Sequence, residues 1–339
     1  MSDPHAHLTT VIAALPRGYS VRHADPARDL EALAELVNAV AEDVGEPIRY
    51  SADDMRENLD AVEPANDTIV VSDAAGSIVA WGSAYRVIDD PSKPRVFLMG
   101  AVHPQQRTQG IGRALFTWTH ARAEEILAAH HNGTIQAQCT DTDERTQHLY
   151  ARFGMRPIRW YTSMQLHFSR RPTSRDLATT TIPAGYHARA FHEVDAEVLR
   201  RLRNDCFSDH WGASEMGGEA WAQLLGSSGF RPNDSEILVT DEGTPVAYQL
   251  TFEYPQDRAT IGHTQWVGNL GVQRQHRGKG LATLLIERHL IRARARNYEG
   301  SMIDVDADSL TGANKLYERI GYARRFGEVR YILGDASFS

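Results

Sequence analysis

Four short motifs recur in the same order in the two halves of this chain, and that repetition constrains the fold more than any other feature. Pro16-Arg17-Gly18-Tyr19 returns as Pro183-Ala184-Gly185-Tyr186. IVVSDAAGSIVAWG (69–82) returns as ILVTDEGTPVAYQ (237–249), each a strand, a tight polar turn and a strand, with Gly76 and Gly243 supplying the turn. VHPQQRTQGIG (102–112) returns as VQRQHRGKGLA (272–282), and LYARFGM (149–155) as LYERIGY (316–322). Chance rarely keeps four matches in order, so the chain is a duplicated domain, and 339 residues suit two cores.

The order within each copy is strand, one or two helices, a hairpin, a further strand, a glycine turn, a long helix, then strand, helix, strand. That order predicts an α/β domain with a mixed sheet. The first copy is expected at 18–168 and the second at 185–333, joined by a polar linker at 169–184. The long helices are expected at about 111–130 and 281–297. Leu30, Leu33, Leu36 and Val37 mark the apolar face of the first copy's opening helix, and Val194, Val198, Leu199 and Leu202 that of the second.

Charge and cysteine content narrow the function. A net charge of −8 argues against nucleic acid or an anionic membrane as partner, and no apolar run is long enough to span a bilayer. The two cysteines, Cys139 and Cys206, form neither a disulfide framework nor a metal knot, and the histidines show no H-E-x-x-H, so no metal is expected. No basic stretch precedes the short apolar run near the start, so the chain is expected to be cytoplasmic.

The informative motif is Arg107-Thr108-Gln109-Gly110-Ile111-Gly112 and its repeat Arg277-Gly278-Lys279-Gly280-Leu281-Ala282. Each follows an apolar strand and opens a helix. Converging backbone N–H groups and the helix dipole make such a turn an anion site. A dinucleotide fingerprint fails because positions 115 and 283 are leucine and threonine, and a Walker A loop fails because Gly280 follows Gly278-Lys279. A plain glycine-capped turn remains the bland alternative.

The glycine turn after a strand, followed by L-Y-x-x-x-G, resembles the GCN5-related N-acetyltransferases, over nearly the whole chain and twice. Trp266-Val267-Gly268-Asn269-Leu270-Gly271-Val272 and the run from Val305 through Thr311-Gly312-Ala313 to Tyr317-Glu318 resemble the tandem, mycothiol-synthase-like members. Ser309-Leu310 stands where those proteins carry Asn-Pro. Phe207-Ser208-Asp209-His210-Trp211-Gly212 resembles the segment after their first helix, where Trp211 is a candidate wall of the acceptor pocket.

The resemblance implies acetyl-CoA as cofactor, its pyrophosphate on the two turns. It also implies a strand bulge at Leu270-Gly271-Val272, and at Gly100-Ala101-Val102 in the first copy, whose backbone holds the pantetheine arm and the acyl carbonyl. Tyr317 falls at the family's general-acid position, with Tyr150 as its counterpart. Candidate bases are His263 and Glu253, with Gln265, Asn269, Asp304 and Asp306 nearby in sequence.

Val96-Phe97-Leu98-Met99 carries no titratable group, and Asp141 to Thr146 is a run rich in acids, so the second copy is expected to do the chemistry. The first is expected to bind CoA without turnover or to buttress the substrate cleft. The expected reaction is acetyl transfer to a primary amine of a small molecule; a protein acetyltransferase and a non-catalytic CoA-binding regulator are the alternatives. Arg288, Arg292 and Arg296 share one helix face, expected to be solvated.

Overall fold

The computed structural model describes residue 8 and residues 11–87, 94–130, 133–170, 180–208, 215–307 and 312–334. Linker residues 171–179, Asp209 to Gly212 with Trp211, and Asp308 to Thr311 lie outside the described residues. The chain divides into two compact units, residues 1–159 with 328–337, and residues 160–327.

The first unit contains β1 (Ser20–Arg22), α1 (Leu30–Val44), α2 (Ala52–Asp60), β2 (Thr68–Ser72), β3 (Ile78–Val87), β4 (Arg95–Val102), α3 (Ile111–Leu127), β5 (Thr134–Thr140) and α4 (Glu144–Arg152). The strands β6 (Arg156–His167), β7 (Tyr186–Ala190), β8 (Glu236–Thr240), β9 (Pro245–Phe252), β10 (Thr264–Val272), β11 (Gly300–Asp306) and β12 (Ala323–Leu333) complete the set. The longer helices of the second unit are α5 (Ala196–Phe207), α6 (Gly218–Gly226), α7 (Leu281–Ala295) and α8 (Ala313–Ile320).

Both sheets are mixed, and each takes its last strand from the other copy. In the first unit the order is β1-β2-β3-β4-β5-β12, antiparallel except for the parallel pair β4/β5. In the second it is β7-β8-β9-β10-β11-β6, antiparallel except for β10/β11. Residues Glu328 to Leu333 therefore lie along β5 of the first unit, and Tyr161 to His167 along β11 of the second. The repeats in sequence and the units in space differ by this one strand.

Helices cover both sheet faces, which is why every residue of β2 is buried. Ile69 and Val71 pack with Ile111, Leu115 and Trp118, while Val70 packs on the other face with Leu30, Leu33 and Trp81. Gly45 stops α1 in the left-handed region, its N–H on the carbonyls of Ala41 and Glu42. Ser51 and Asp54 form a capping box at the start of α2. In α5 the buried face is Leu199, Leu202 and Cys206; Val198 is exposed and Val194 precedes the helix, so the apolar stripe sits one position from the expected phase.

Candidate functional site

In each unit the parallel strand pair parts before the glycine turn. β4 pairs with β5 only from Arg95/Thr134 to Leu98/Ala137, whereas its pairing with β3 continues to Val102/Ala80. Beyond Leu98, β4 thus keeps a partner on one side only among the described residues. β10 likewise pairs with β11 from Thr264/Gly300 to Val267/Ile303 and with β9 as far as Val272/Ala247.

The bulge differs from expectation. It falls between Val267 and Asn269, at Gly268, two residues before Leu270, where a side chain would overlap the Phe252 ring. Leu270, Gly271 and Val272 are regular strand. In the first unit the register runs unbroken through Gly100, Ala101 and Val102. Gly268 fits the crowding at the bulge in the second unit, and Leu98 occupies the matching place in the first.

Both turns have the geometry of an anion cradle. Gly110, Gly278 and Gly280 sit at φ 85°, 77° and 78°, and among the described residues nothing lies within 4 Å of where a Cβ would stand. Each turn delivers its glycine as N-cap of a helix, at Ile111 and at Leu281, with no side-chain cap and no acid in the first turn. Those first-turn N–H groups are left for an anion.

The cationic side chains are already engaged. Arg107 pairs with Asp43 of α1. Thr108 donates its hydroxyl to the Arg107 carbonyl at 2.6 Å, and Gln109 is tied to Tyr19 and Gln106. Arg277 donates to the Val272 and Cys206 carbonyls at 3.1 and 2.8 Å, so it braces the turn from behind. Lys279 donates to the Tyr186 hydroxyl at 2.9 Å, beside a cavity of about 520 Å³ that also holds His276. Ile111 and Leu281 are core residues, and a Cβ on Gly112 would meet Val102 and Leu149 at ordinary contact distance. Ala282 follows in the first turn of α7.

The first unit opens into a cavity of about 970 Å³. It runs from Arg107, Thr108 and Gly110 along Met99 to Val102, and it reaches Tyr150 and, on β12, Glu328 and Arg330. Its size is at the upper end for a cofactor site. Glu328 was not singled out from the sequence, because nothing local says that the last strand joins β5. Burial pushes its carboxyl up, as does Asp141, while Gln138 and Arg330 pull the other way. Asp143, one of the acids in the run from Asp141 to Thr146, is the N-cap of α4 and accepts from Thr146.

The two tyrosines occupy matching helices but differ in engagement. Tyr150 donates to the Gln138 carbonyl at 3.2 Å, and burial, with Cys139, Asp143 and Tyr331 beside it, raises its pKa far above that of a free phenol. Tyr317 packs with Val267, Leu270 and Tyr322, and burial raises its pKa too. Both phenols therefore stay protonated, the form a proton donor needs.

His263 and Glu253 come together, but at the wrong end of the strand. His263 Nε2 lies 3.4 Å from Glu253 Oε1, and Glu253 also accepts from Tyr298 at 2.9 Å and Arg231 at 3.1 Å. Burial would raise the Glu253 pKa, yet those hydrogen bonds and charges hold it below the usual carboxylate range. At a strand rise of roughly 3.3 Å per residue, His263 stands about 23 Å from Leu270. An acyl carbon held at Leu270, as the resemblance expects, would lie beyond the reach of His263, and in the structure Glu253 is engaged by Arg231 and Tyr298.

Asp304 and Asp306 on β11 lie beyond the point where β10 parts, and Asp304 accepts from Ser163 of β6 at 2.5 Å. The arginine face of α7 is not solvated as expected. Arg288 and Arg292 pair with Glu236 at 2.6 and 3.0 Å, and Arg296 pairs with Asp234, which fastens α7 to β8 and the turn before it.

Comparison with known proteins follows the same division. Residues 196–322 match the acetyltransferase (GNAT) family, and residues 65–156 match a GNAT acetyltransferase domain. A mycothiol acetyltransferase of Salinispora arenicola is 30 % identical over 241 residues, 68 % of this chain and 71 % of that protein. One from Thermobispora bispora is 27 % identical over 256 residues, 74 % of this chain and 79 % of that protein. A GCN5-related N-acetyltransferase from Sphaerobacter thermophilus has a TM-score of 0.74 at 24 % identity, covering 96 % of this chain and 100 % of that one. A tandem GNAT protein from the clavulanic acid biosynthesis pathway gives 0.66 at 19 %, over 94 % and 100 %. At such identities the structural matches speak for the fold alone.

Proposed function

The chain belongs to the GNAT acetyltransferase family, with two such domains in tandem, and from that premise we propose that it transfers the acetyl group of acetyl-CoA to a primary amine of a small molecule. The relatives named mycothiol acetyltransferase favour an aminosugar conjugate as acceptor. The observation that carries the reading is the sequence of strand parting, Gly268 bulge and left-handed Gly278/Gly280 turn along one stretch of backbone. That stretch offers unpaired strand groups to a pantetheine arm and helix N–H groups to a pyrophosphate.

In the second unit the backbone beyond the bulge, at Leu270 to Val272, supports the thioester carbonyl as it gains charge. The neutral amine attacks, Asp304 takes its proton directly or through water, and Tyr317 protonates the departing thiolate. The test is thiol release from acetyl-CoA with glucosamine as the acceptor, the product identified by its added acetyl mass. CoA binding without thiol release to glucosamine or a panel of primary amines would favour the regulator instead.

A further inference from the structure

We propose that the first unit is a second acyl-transfer site, one that takes a hydrophobic primary amine and passes the amine's proton to Glu328. The inference rests on the acyl-CoA reading above. It assigns the first unit an acceptor and a base of its own.

The cavity does more than house a cofactor arm. Past the open edge of β4 it continues to a second set of walls, Tyr50, Met55, Trp81, Tyr85 and Phe97. Aromatic and thioether walls favour an acceptor with an apolar body. Trp81 is only 4 % exposed, and its indole N–H has no acceptor among the described residues. A buried donor left unmade costs about 1–3 kcal/mol, and a polar atom on a bound ligand would satisfy it.

Glu328 supplies the polar end. It sits opposite Thr140 in the β5/β12 register, and paired residues present their side chains on one sheet face. The Thr140 hydroxyl donates to Glu46 at 3.0 Å, so that face carries two carboxylates. Arg330 does not claim the Glu328 carboxylate alone: its guanidinium donates to Gln138 at 3.1 Å and lies 5.0 Å over the Phe97 ring. Asp141 also bears on this group, and so does Cys139, although Cys139 pairs with Val329 and presents the opposite sheet face. Burial pushes the Cys139 thiol up to about 12, so it stays neutral and is no rival nucleophile. Burial also makes the Glu328 carboxylate more basic than a solvated one, as a proton acceptor requires.

The step balances without further reactants. The neutral amine forms a C–N bond to the thioester carbonyl and the C–S bond breaks. The ammonium proton passes to Glu328, which later returns it to solvent, and the CoA thiolate takes a proton from water. Tyr150, engaged with the Gln138 carbonyl, is not needed.

Tyramine is the probe, with thiol release as readout, in the full chain carrying Gly280→Glu to silence the second unit. We expect tyramine turnover to survive Gly280→Glu. Adding Glu328→Gln should lower its kcat by about 10²-fold, with KM for acetyl-CoA unchanged and the rising pH limb displaced; Glu328→Asp should recover part of the loss. Loss of tyramine turnover in Gly280→Glu alone, or an unchanged kcat and pH profile in Glu328→Gln, overturns the inference. If Glu328→Gln fails to fold, the pair Gly110→Glu and Gly280→Glu decides, since persistent tyramine turnover there would also overturn it. A native chain that acetylates glucosamine but not tyramine overturns it while the function above stands. Acetylation of neither removes both.

Discussion

Where the second unit places Gly278 in the left-handed region, the first places Thr108, a β-branched residue at φ 66°. Where the second breaks its strand register at Gly268, the first runs straight through Leu98. The acid at the parted strands also has a different origin. In the second unit it is Asp304 or Asp306 on β11; in the first it is Glu328, on a strand from the far end of the chain. Duplication has thus preserved the glycine turn, which depends on backbone shape, and let the side chains around the parted strands drift. On the two proposals above, the copies of one fold would take acceptors of different chemistry.

The largest expected effect separates the two turns. Gly280→Glu should abolish CoA binding at the second unit and with it glucosamine acetylation, because bulk and negative charge enter the cradle. Gly110→Glu should remove the other site. Isothermal titration should show stoichiometry falling from two to one in either variant and to none in both. An unchanged stoichiometry in a folded double variant would break the comparison at its root.

The tyrosines sharpen it next. Tyr317→Phe should lower kcat for glucosamine by about 10²-fold, the lower end of what a positioned acid contributes. KM for acetyl-CoA should hold, because the thiolate develops only in the transition state. Tyr150→Phe should stay within about threefold, under 1 kcal/mol. Equal losses would mean that the hydrogen bond to Gln138 does not distinguish the two phenols.

The contrast also marks what a sequence discloses. The repeat, the hairpins and both glycine turns were legible because each is encoded within a few residues: Gly76 and Gly243 take φ 85° and 84° as a tight turn needs. The exchange of β6 and β12 was not legible. Period-two alternation tells which face a residue such as Glu328 occupies, but not which sheet receives the strand. His263 and Glu253 looked promising by proximity to the second turn in sequence. The structure sets them beside each other ahead of β10, with Glu253 accepting from Arg231 and Tyr298, partners that a local reading of the sequence does not find. Arg288 and Arg292 misled similarly, since Glu236 lies too distant in sequence for a helix-face reading to find.

The cores differ as well, and pH should expose it. In the second unit His289 is fully buried, 3.0 Å from Ser301, whose hydroxyl in turn accepts from Tyr322. The matching residue of the first unit is Thr119, which bonds within its own helix to Phe116. Burial, with the Arg292 charge, lowers the His289 pKa to about 3. Its unfolded value is higher, so below about pH 6.5 the unfolded chain binds the extra proton and stability falls as pH falls toward 3. The slope from this group is about 1.4 kcal/mol per pH unit. His289→Gln should flatten the pH dependence of denaturant unfolding between pH 6.5 and 5, measured as a difference from the native chain. An unaltered slope would assign acid lability to other groups.

The smallest effect tests the turns by exchange. A non-glycine residue in the left-handed region costs roughly 1–2 kcal/mol, so Gly278→Thr should destabilise the second unit by about that much. Open space around the Gly278 Cβ position means that strain, not collision, would be the cause. The reverse change is not its mirror image. Thr108→Gly relieves strain, but it loses the bond from the Thr108 hydroxyl to the Arg107 carbonyl, and it loosens the unfolded chain by about 0.5–1 kcal/mol. Those terms nearly offset, so thermal melts should move little for Thr108→Gly and fall by a few degrees for Gly278→Thr. A clear gain for Thr108→Gly would mean that the first turn is held in strain that its hydroxyl does not repay. Both melts should be repeated with CoA, because a cradle that needs the left-handed backbone to meet phosphate will lose affinity wherever that backbone shifts.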